Sequence, residues 1–207
     1  MRLIDLSHSF KENMPTYPGD PNPELTPIAR LHSEGYNDHL LKTGMHVGTH
    51  VDAPFHMIEN GKRMSELPLE KFTGNGVLLD ARGRKEMGAE LLHGTKIHAE
   101  DIVLVYTGWD KKFNEKEYFD VEAFPKFSEE LARELVKAKI KLVGMDTASP
   151  DREPFNVHKI LLGNGILIME NLCNLDALLG VKKFEVMAFP VKFYADGGMA
   201  RVVAKTE

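Results

Sequence analysis

The chain has 207 residues, 43% of them hydrophobic, with 26 Lys and Arg against 31 Asp and Glu for a formal charge of -5. That length and apolar content suit one domain with a substantial core, and the acidic balance excludes the basic field that draws in nucleic acid or anionic lipid. The one cysteine, Cys173, cannot form an internal disulfide, and with Leu172 and Leu175 beside it reads as a packed thiol in a reducing cytoplasm.

In chain order, MRLIDLSHSF has neither the apolar h-region of a secretory signal nor the Arg- and Ser-rich helix of a transit peptide, so no export is expected. Residues 2 to 8, RLIDLSH, alternate apolar and polar with the period of a half-buried strand. The stretch from Pro15 to Pro27 holds five prolines with Gly19 and Asp20, which predicts rigid turns and little regular hydrogen bonding. Further strands are predicted at NGVLLDA (75 to 81), DIVLVYTG (101 to 108), KIKLVGM (139 to 145), GILIM (165 to 169) and FEVMAFPV (184 to 191).

The clearest helix is SEELARELVKAK, with Ser128 as its cap, Glu129 and Glu130 in the first turn, and Leu131 paired with Leu135 on the buried side. Shorter helices are predicted at GAELLHG (88 to 94) and PFNVHKILLG (154 to 163), each ending at glycine. The longest apolar runs, such as Ile166 to Met169, fall far short of the roughly 20 residues of a membrane span. Strands and helices interleave and no repeat or linker divides the chain, so residues 1–207 are expected to form one soluble α/β domain.

The segment His46 to His56, HVGTHVDAPFH, packs three histidines and an aspartate into eleven residues. A helix would align His46 with His50 but carry Asp52 about 240° around from His46, and Gly48, two valines, Thr49 and Pro54 all oppose one. An extended chain places His46, Gly48, His50, Asp52, Pro54 and His56 on one face and sends Val47, Val51, Ala53 and Phe55 to the other. A straight strand would still hold His46 and His50 about 13 Å apart, so the backbone must bend, and Gly48 is the natural place.

Imidazole and carboxylate donors of this kind suit zinc and also accept manganese or iron. Separate structural roles for so many polar groups on one face would need many partners, whereas one or two cations satisfy them together. Glu170 closes the apolar run ILIME, where a carboxylate needs a compensating cation or donor unless the strand end is exposed. His158, on a short helix beside Ile160 and Leu161, has by itself only a structural reading, and Asp146 and Asp151, flanking TASP, read as turn and cap residues.

With these residues in view, the chain resembles the bacterial kynurenine formamidase and cyclase family of metal-dependent hydrolases. The pattern H-x-G-T-H-x-D-x-P-x-H is present in full as His46, Gly48, Thr49, His50, Asp52, Pro54 and His56. DLSH at Asp5 to His8, YPGD at Tyr17 to Asp20, MDTASPD at Met145 to Asp151 and the His158 to Glu170 spacing extend the likeness over nearly the whole chain.

The resemblance implies a swivelling β/β/α domain, a mixed sheet with flanking helices, assembled as a homodimer or homotetramer. It further implies two divalent ions, zinc first and manganese as the alternative. His46, His50 and Asp52 would hold one; Asp52, His158 and Glu170 the other, with the carboxylates bridging and His56 carrying the proton. The implied activity is hydrolysis of a non-peptide C–N bond in a small aryl amide, N-formylkynurenine or a related aryl formamide. The formamidase branch has tryptophan where this chain has Tyr17, so a lactam of the isatin type is the alternative substrate, with Tyr17 a candidate contact for the aryl ring. A non-catalytic metal-binding protein is the expectation of another class, and His56 discriminates between them.

Overall fold

The computed structural model describes residues 1–207. In chain order the first strands are β1 (Arg2–Asp5), β2 (Glu24–Ala29), β3 (Asp38–Lys42), β4 (His50–Asp52), β5 (Thr73–Asp80), β6 (Glu86–Met87) and β7 (Ile102–Tyr106). They are followed by β8 (Lys126–Phe127), β9 (Leu142–Met145), β10 (Leu167–Glu170), β11 (Phe184–Met187), β12 (Gly197–Met199) and β13 (Val203–Thr206). Three α-helices, α1 (Leu31–Glu34), α2 (Glu129–Lys137) and α3 (Asn156–Gly163), complete the regular structure with several 3-10 turns.

Nine strands form one mixed sheet in the order β1-β13-β11-β5-β7-β9-β10-β4-β12. The central pairs β5 with β7, β7 with β9 and β9 with β10 are parallel, while the flanking pairs are antiparallel. This is the mixed α/β architecture expected from the interleaved pattern.

The middle of the sheet explains its sequence. β7 reads IVLVY and is buried throughout, because both faces are covered. Ile102, Leu104 and Tyr106 pack with Leu6, Val51, Met169 and Val186 on one side. Val103 and Val105 pack on the other with Leu131 and Leu135 of α2 and Leu161 of α3. Ser128 caps α2 by accepting from the Leu131 amide at 3.1 Å, with Glu129 and Glu130 at the positive end of the helix, as the sequence predicts.

Two local expectations change. GAELLHG forms a single 3-10 turn, Ala89–Leu92, because the four residues between Gly88 and His93 leave no room for a run of i to i+4 bonds. Part of the proline-rich stretch forms β2, which pairs with β3 in a separate two-stranded sheet, and Pro27 is tolerated because this hairpin has free edges. No helix is long and apolar enough to cross a membrane.

Asp146 lies at the end of β9 with no exposed surface. Its Oδ1 accepts from the Thr107 amide at 2.9 Å and the Thr107 hydroxyl at 2.7 Å, and its Oδ2 accepts from the Gly108 amide at 2.7 Å. It therefore fixes the turn that follows β7, the structural role expected of it. Burial pushes its carboxyl up to about 6 against those three donors. Asp146→Ala would strand two backbone donors and is expected to cost about 3 kcal/mol, read as a lower midpoint in urea at an unchanged m-value.

Candidate metal centre

The ligand-bearing segment bends where glycine permits it. Gly48 has φ +68, so His46 and Val47 precede the turn and only His50–Asp52 enter the sheet as β4. The single extended face predicted for 46 to 56 is therefore broken at both ends, since Pro54–His56 form a 3-10 turn. β4 lies between β10 and β12, with His50 opposite Glu170 and Met199, and Asp52 opposite Ile168 and Gly197. That register sets His50, Asp52 and Glu170 side by side on one face, while Val51 points into the core.

Six of the residues singled out in the sequence meet here. His46 Nδ1 is 2.8 Å from Asp52 Oδ1, and His50 Nε2 is 3.2 Å from the same oxygen and 3.4 Å from Glu170 Oε2. His158, on α3, brings Nε2 to 3.8 Å from Asp52 Oδ2 and 3.4 Å from Glu170 Oε1. The His56 ring lies over that of His46, with centroids 4.0 Å apart, and its centroid is 5.9 Å from that of His158. Tyr17 is partly buried, and its phenol is pushed up first by burial and then by the carboxylates of Glu170 and Asp151. Glu170 is 6% exposed, which removes the exposed strand-end alternative.

The remaining ring nitrogens are all engaged. His50 Nδ1 faces the Gly48 carbonyl at 2.8 Å, His158 Nδ1 faces Asp151 Oδ1 at 2.5 Å, and His46 Nε2 faces Asp196 Oδ2 at 2.9 Å. Such partners hold each imidazole with its free nitrogen aimed at the cluster. Asp151 thus does more than the turn and cap role expected of it: its Oδ2 accepts from the Val157 amide at 2.6 Å at the start of α3 while its Oδ1 grips His158. Asp196 was not legible in the sequence; it precedes β12, and its carboxylate lies 3.4 Å from His56 Nδ1 as well. Gly197 makes the approach possible, since a Cβ there would stand 2.9 Å from His46 Cε1.

The electrostatics follow from burial. Burial disfavours the charged His46 ring, but Asp52 outweighs it and lifts the group to about 9; His158, opposed by burial in the same way, is raised to about 10 by Asp151 and Glu170. His56 moves the other way, held below its ordinary value chiefly by burial. Asp196 falls to about 2 through its hydrogen bond to His46.

The donor set fits a divalent cation. His50 Nε2, Asp52 Oδ2 and Glu170 Oε1 are buried without a hydrogen-bond partner, although they face one another across a few ångströms. Three orphaned polar atoms converging on one spot are a donor set that a bound cation would satisfy together. Two sets place their ligand atoms within 4.8 Å of one another, His46 with Asp52 and His56, and His50 with Asp52 and Glu170. Asp196→Asn would loosen His46 without unfolding a partly exposed site, and is expected to weaken metal binding 10- to 100-fold, measured by competition with a chromophoric chelator.

Fold and cluster together define a metal-dependent hydrolase. The chain belongs to the cyclase family, described as "Putative cyclase", whose model matches residues 4–152. It is 30% identical over 208 residues to a kynurenine formamidase of Geobacillus thermodenitrificans, covering 98% of this chain and 96% of that protein. It is 34% identical over 206 residues to an uncharacterized protein of Methanocaldococcus jannaschii, covering 99% of each. Among solved structures, isatin hydrolase A from Labrenzia aggregata superposes with a TM-score of 0.88 at 25% identity, covering 100% of this chain and 94% of the other.

Proposed function

We propose that this protein hydrolyses the C–N bond of a small aryl amide, with an aryl formamide such as N-formylkynurenine as the leading substrate. The observation that carries the reading is the convergence of His50, Asp52, His158 and Glu170, with unpaired donor atoms, beneath a neutral His56. In this reading His46, His50 and Asp52 hold one divalent ion and Asp52, His158 and Glu170 a second, zinc or manganese. Ions bound there supply Lewis acidity to the substrate carbonyl and to an attacking water.

The chain's own groups complete the chemistry. His56 turns Nδ1 toward Asp196, which leaves Nε2 to take the proton of the attacking water as the C–O bond forms. The same nitrogen returns that proton to the departing amine nitrogen as the C–N bond breaks, giving amine and formate. Asp196 holds the ring's orientation and favours the proton on Nδ1. Tyr17 offers a flat face and a hydroxyl to the aryl ring.

A lactam is the second reading. Tyr17 stands where the formamidase branch has tryptophan, and the likeness to isatin hydrolase A spans the whole chain. Opening a lactam uses the same proton path, with the amine retained on the product. The test is a panel of N-formylkynurenine, other aryl formamides and isatin-type lactams offered to zinc- and manganese-loaded protein. Turnover of one class above the others is expected, whereas stoichiometric metal with no turnover of any member would leave a metal-binding protein without catalysis.

A further inference from the structure

The parallel strands at the middle of the sheet give it two distinct ends, and the metal centre uses one of them. Glu170 closes β10, whereas Asp101 stands just before β7, whose first residue, Ile102, is level with Leu142 of β9 and with Gly76 of β5. At that opposite end, beside Gly76 and Phe184 of β11, opens a cleft of about 830 Å³. β7 and β9 lie between β5 and β10, so three strand spacings, about 14 Å, intervene. The cleft shares no lining residue with the metal centre.

The charges around this cleft are sorted by sign. Asp101, 2% exposed, accepts from the His98 amide at 2.7 Å, and Glu185 Oε2 lies 3.2 Å from Lys205 Nζ, so these two acids are already occupied. Lys96, Lys182 and Lys183 also line the cleft, are exposed, and pair with no carboxylate. Against these three free ammonium groups stands one lining acid side chain without a cationic partner, that of Glu207. Such an excess is unusual in a chain of formal charge -5, because like charges gathered around one hollow repel. The backbone adds donors of its own: after the turn at Gly180, φ +76, the amides of Lys182 and Lys183 donate to no group of the chain.

We propose that this cleft is a second ligand site, for a small anion carrying two or more phosphoryl groups, either inorganic or part of a nucleotide. No arginine lines it, so the planar fork that recognises a carboxylate is missing. Lysines act as point charges suited to phosphoryl oxygens, and free backbone amides are the other common partner of such groups. Three ammonium groups match the roughly three negative charges of a diphosphate near neutral pH. The volume accommodates a ligand of nucleotide size. The acidic chain as a whole repels an extended polyanion, which leaves a single molecule enclosed by the cleft as the occupant.

The experiment is calorimetric titration of the metal-loaded full chain with pyrophosphate, ADP, adenosine and citrate at low salt, with metal assayed afterwards. Saturable one-to-one binding of pyrophosphate or ADP is expected, the tighter of the two identifying the source, and it should weaken as salt is added. K182E/K183E is expected to raise the Kd at least about 10-fold with bound metal and circular dichroism unchanged, and K96E to raise it too. Failure of both phosphates to bind would overturn the proposal. So would citrate or adenosine binding as tightly as they do, or phosphate binding that survives K182E/K183E, which would place the anion on the metal ions instead.

Discussion

Replacing His56 with alanine is expected to lower kcat by roughly 10²- to 10⁴-fold while bound metal and Tm stay near their wild-type values. The reason is positional. His56 lies over the cluster rather than within the β4 ladder, and its contacts are a ring face against His46 and one 3.4 Å interaction with Asp196. The four cross-strand partners that fix His50 and Asp52 do not depend on it. Its depressed basicity, set by burial, keeps the ring neutral and ready to accept a proton at neutral pH. Steady-state kinetics with metal analysis on the same samples check the result; a variant that turns over every active substrate as fast as wild type would remove His56 from the proton path.

Stripping the metal should produce the second large effect. At free metal a thousandfold above Kd, the bound ion adds about 4 kcal/mol to the folded state, a shift of roughly 10 °C in Tm for a domain of this size. The pH dependence distinguishes the two forms. In metal-free protein His46 and His158 are raised to about 9 and about 10. Their contribution is present in full below the unfolded value of about 6.5 and is lost as pH rises through 9 to 10. Asp52, driven well below its ordinary value by His46 and His50 against the cost of burial, contributes above about 4 and is lost on acidification.

Metal-free protein should therefore melt earlier as pH rises from 7 to 10. Metal-loaded protein should hold its Tm, because the ligand nitrogens must shed protons to bind and alkali favours that. Calorimetry of chelated and reloaded samples across this range is the check. Parallel curves for the two would mean that these rings do not hold the ion.

What the sequence disclosed depended on how local the physics was. The bend at Gly48 was readable because His46 and His50 cannot share a centre along a straight strand, and only glycine offers φ +68 cheaply there. β7 and the Ser128 cap were readable for the same reason, since burial on two faces and a cap's hydroxyl write themselves into adjacent residues. Asp196 was hidden because it lies 140 positions from His56, and nothing in its neighbourhood separates it from the other acidic residues until β12 is laid beside β4. Asp151 was half visible: its cap role is local, its grip on His158 is not. The hairpin was obscured by its prolines, which forbid a central strand yet cost little on one whose edges are free.

The placement of Tyr17 outside the nine-stranded sheet has one more consequence. On the proposed reading, chemistry and recognition would occupy different scaffolding: His50, Asp52 and Glu170 are locked into a cross-strand ladder, whereas Tyr17, the proposed contact for the aryl ring, rides on an irregular proline-bearing loop. Substitutions in that loop are then expected to leave the ladder-held donor atoms of His50, Asp52 and Glu170 in place. Under that reading, changes confined to the loop would alter which substrate is admitted while the ladder that carries the donor atoms stays still.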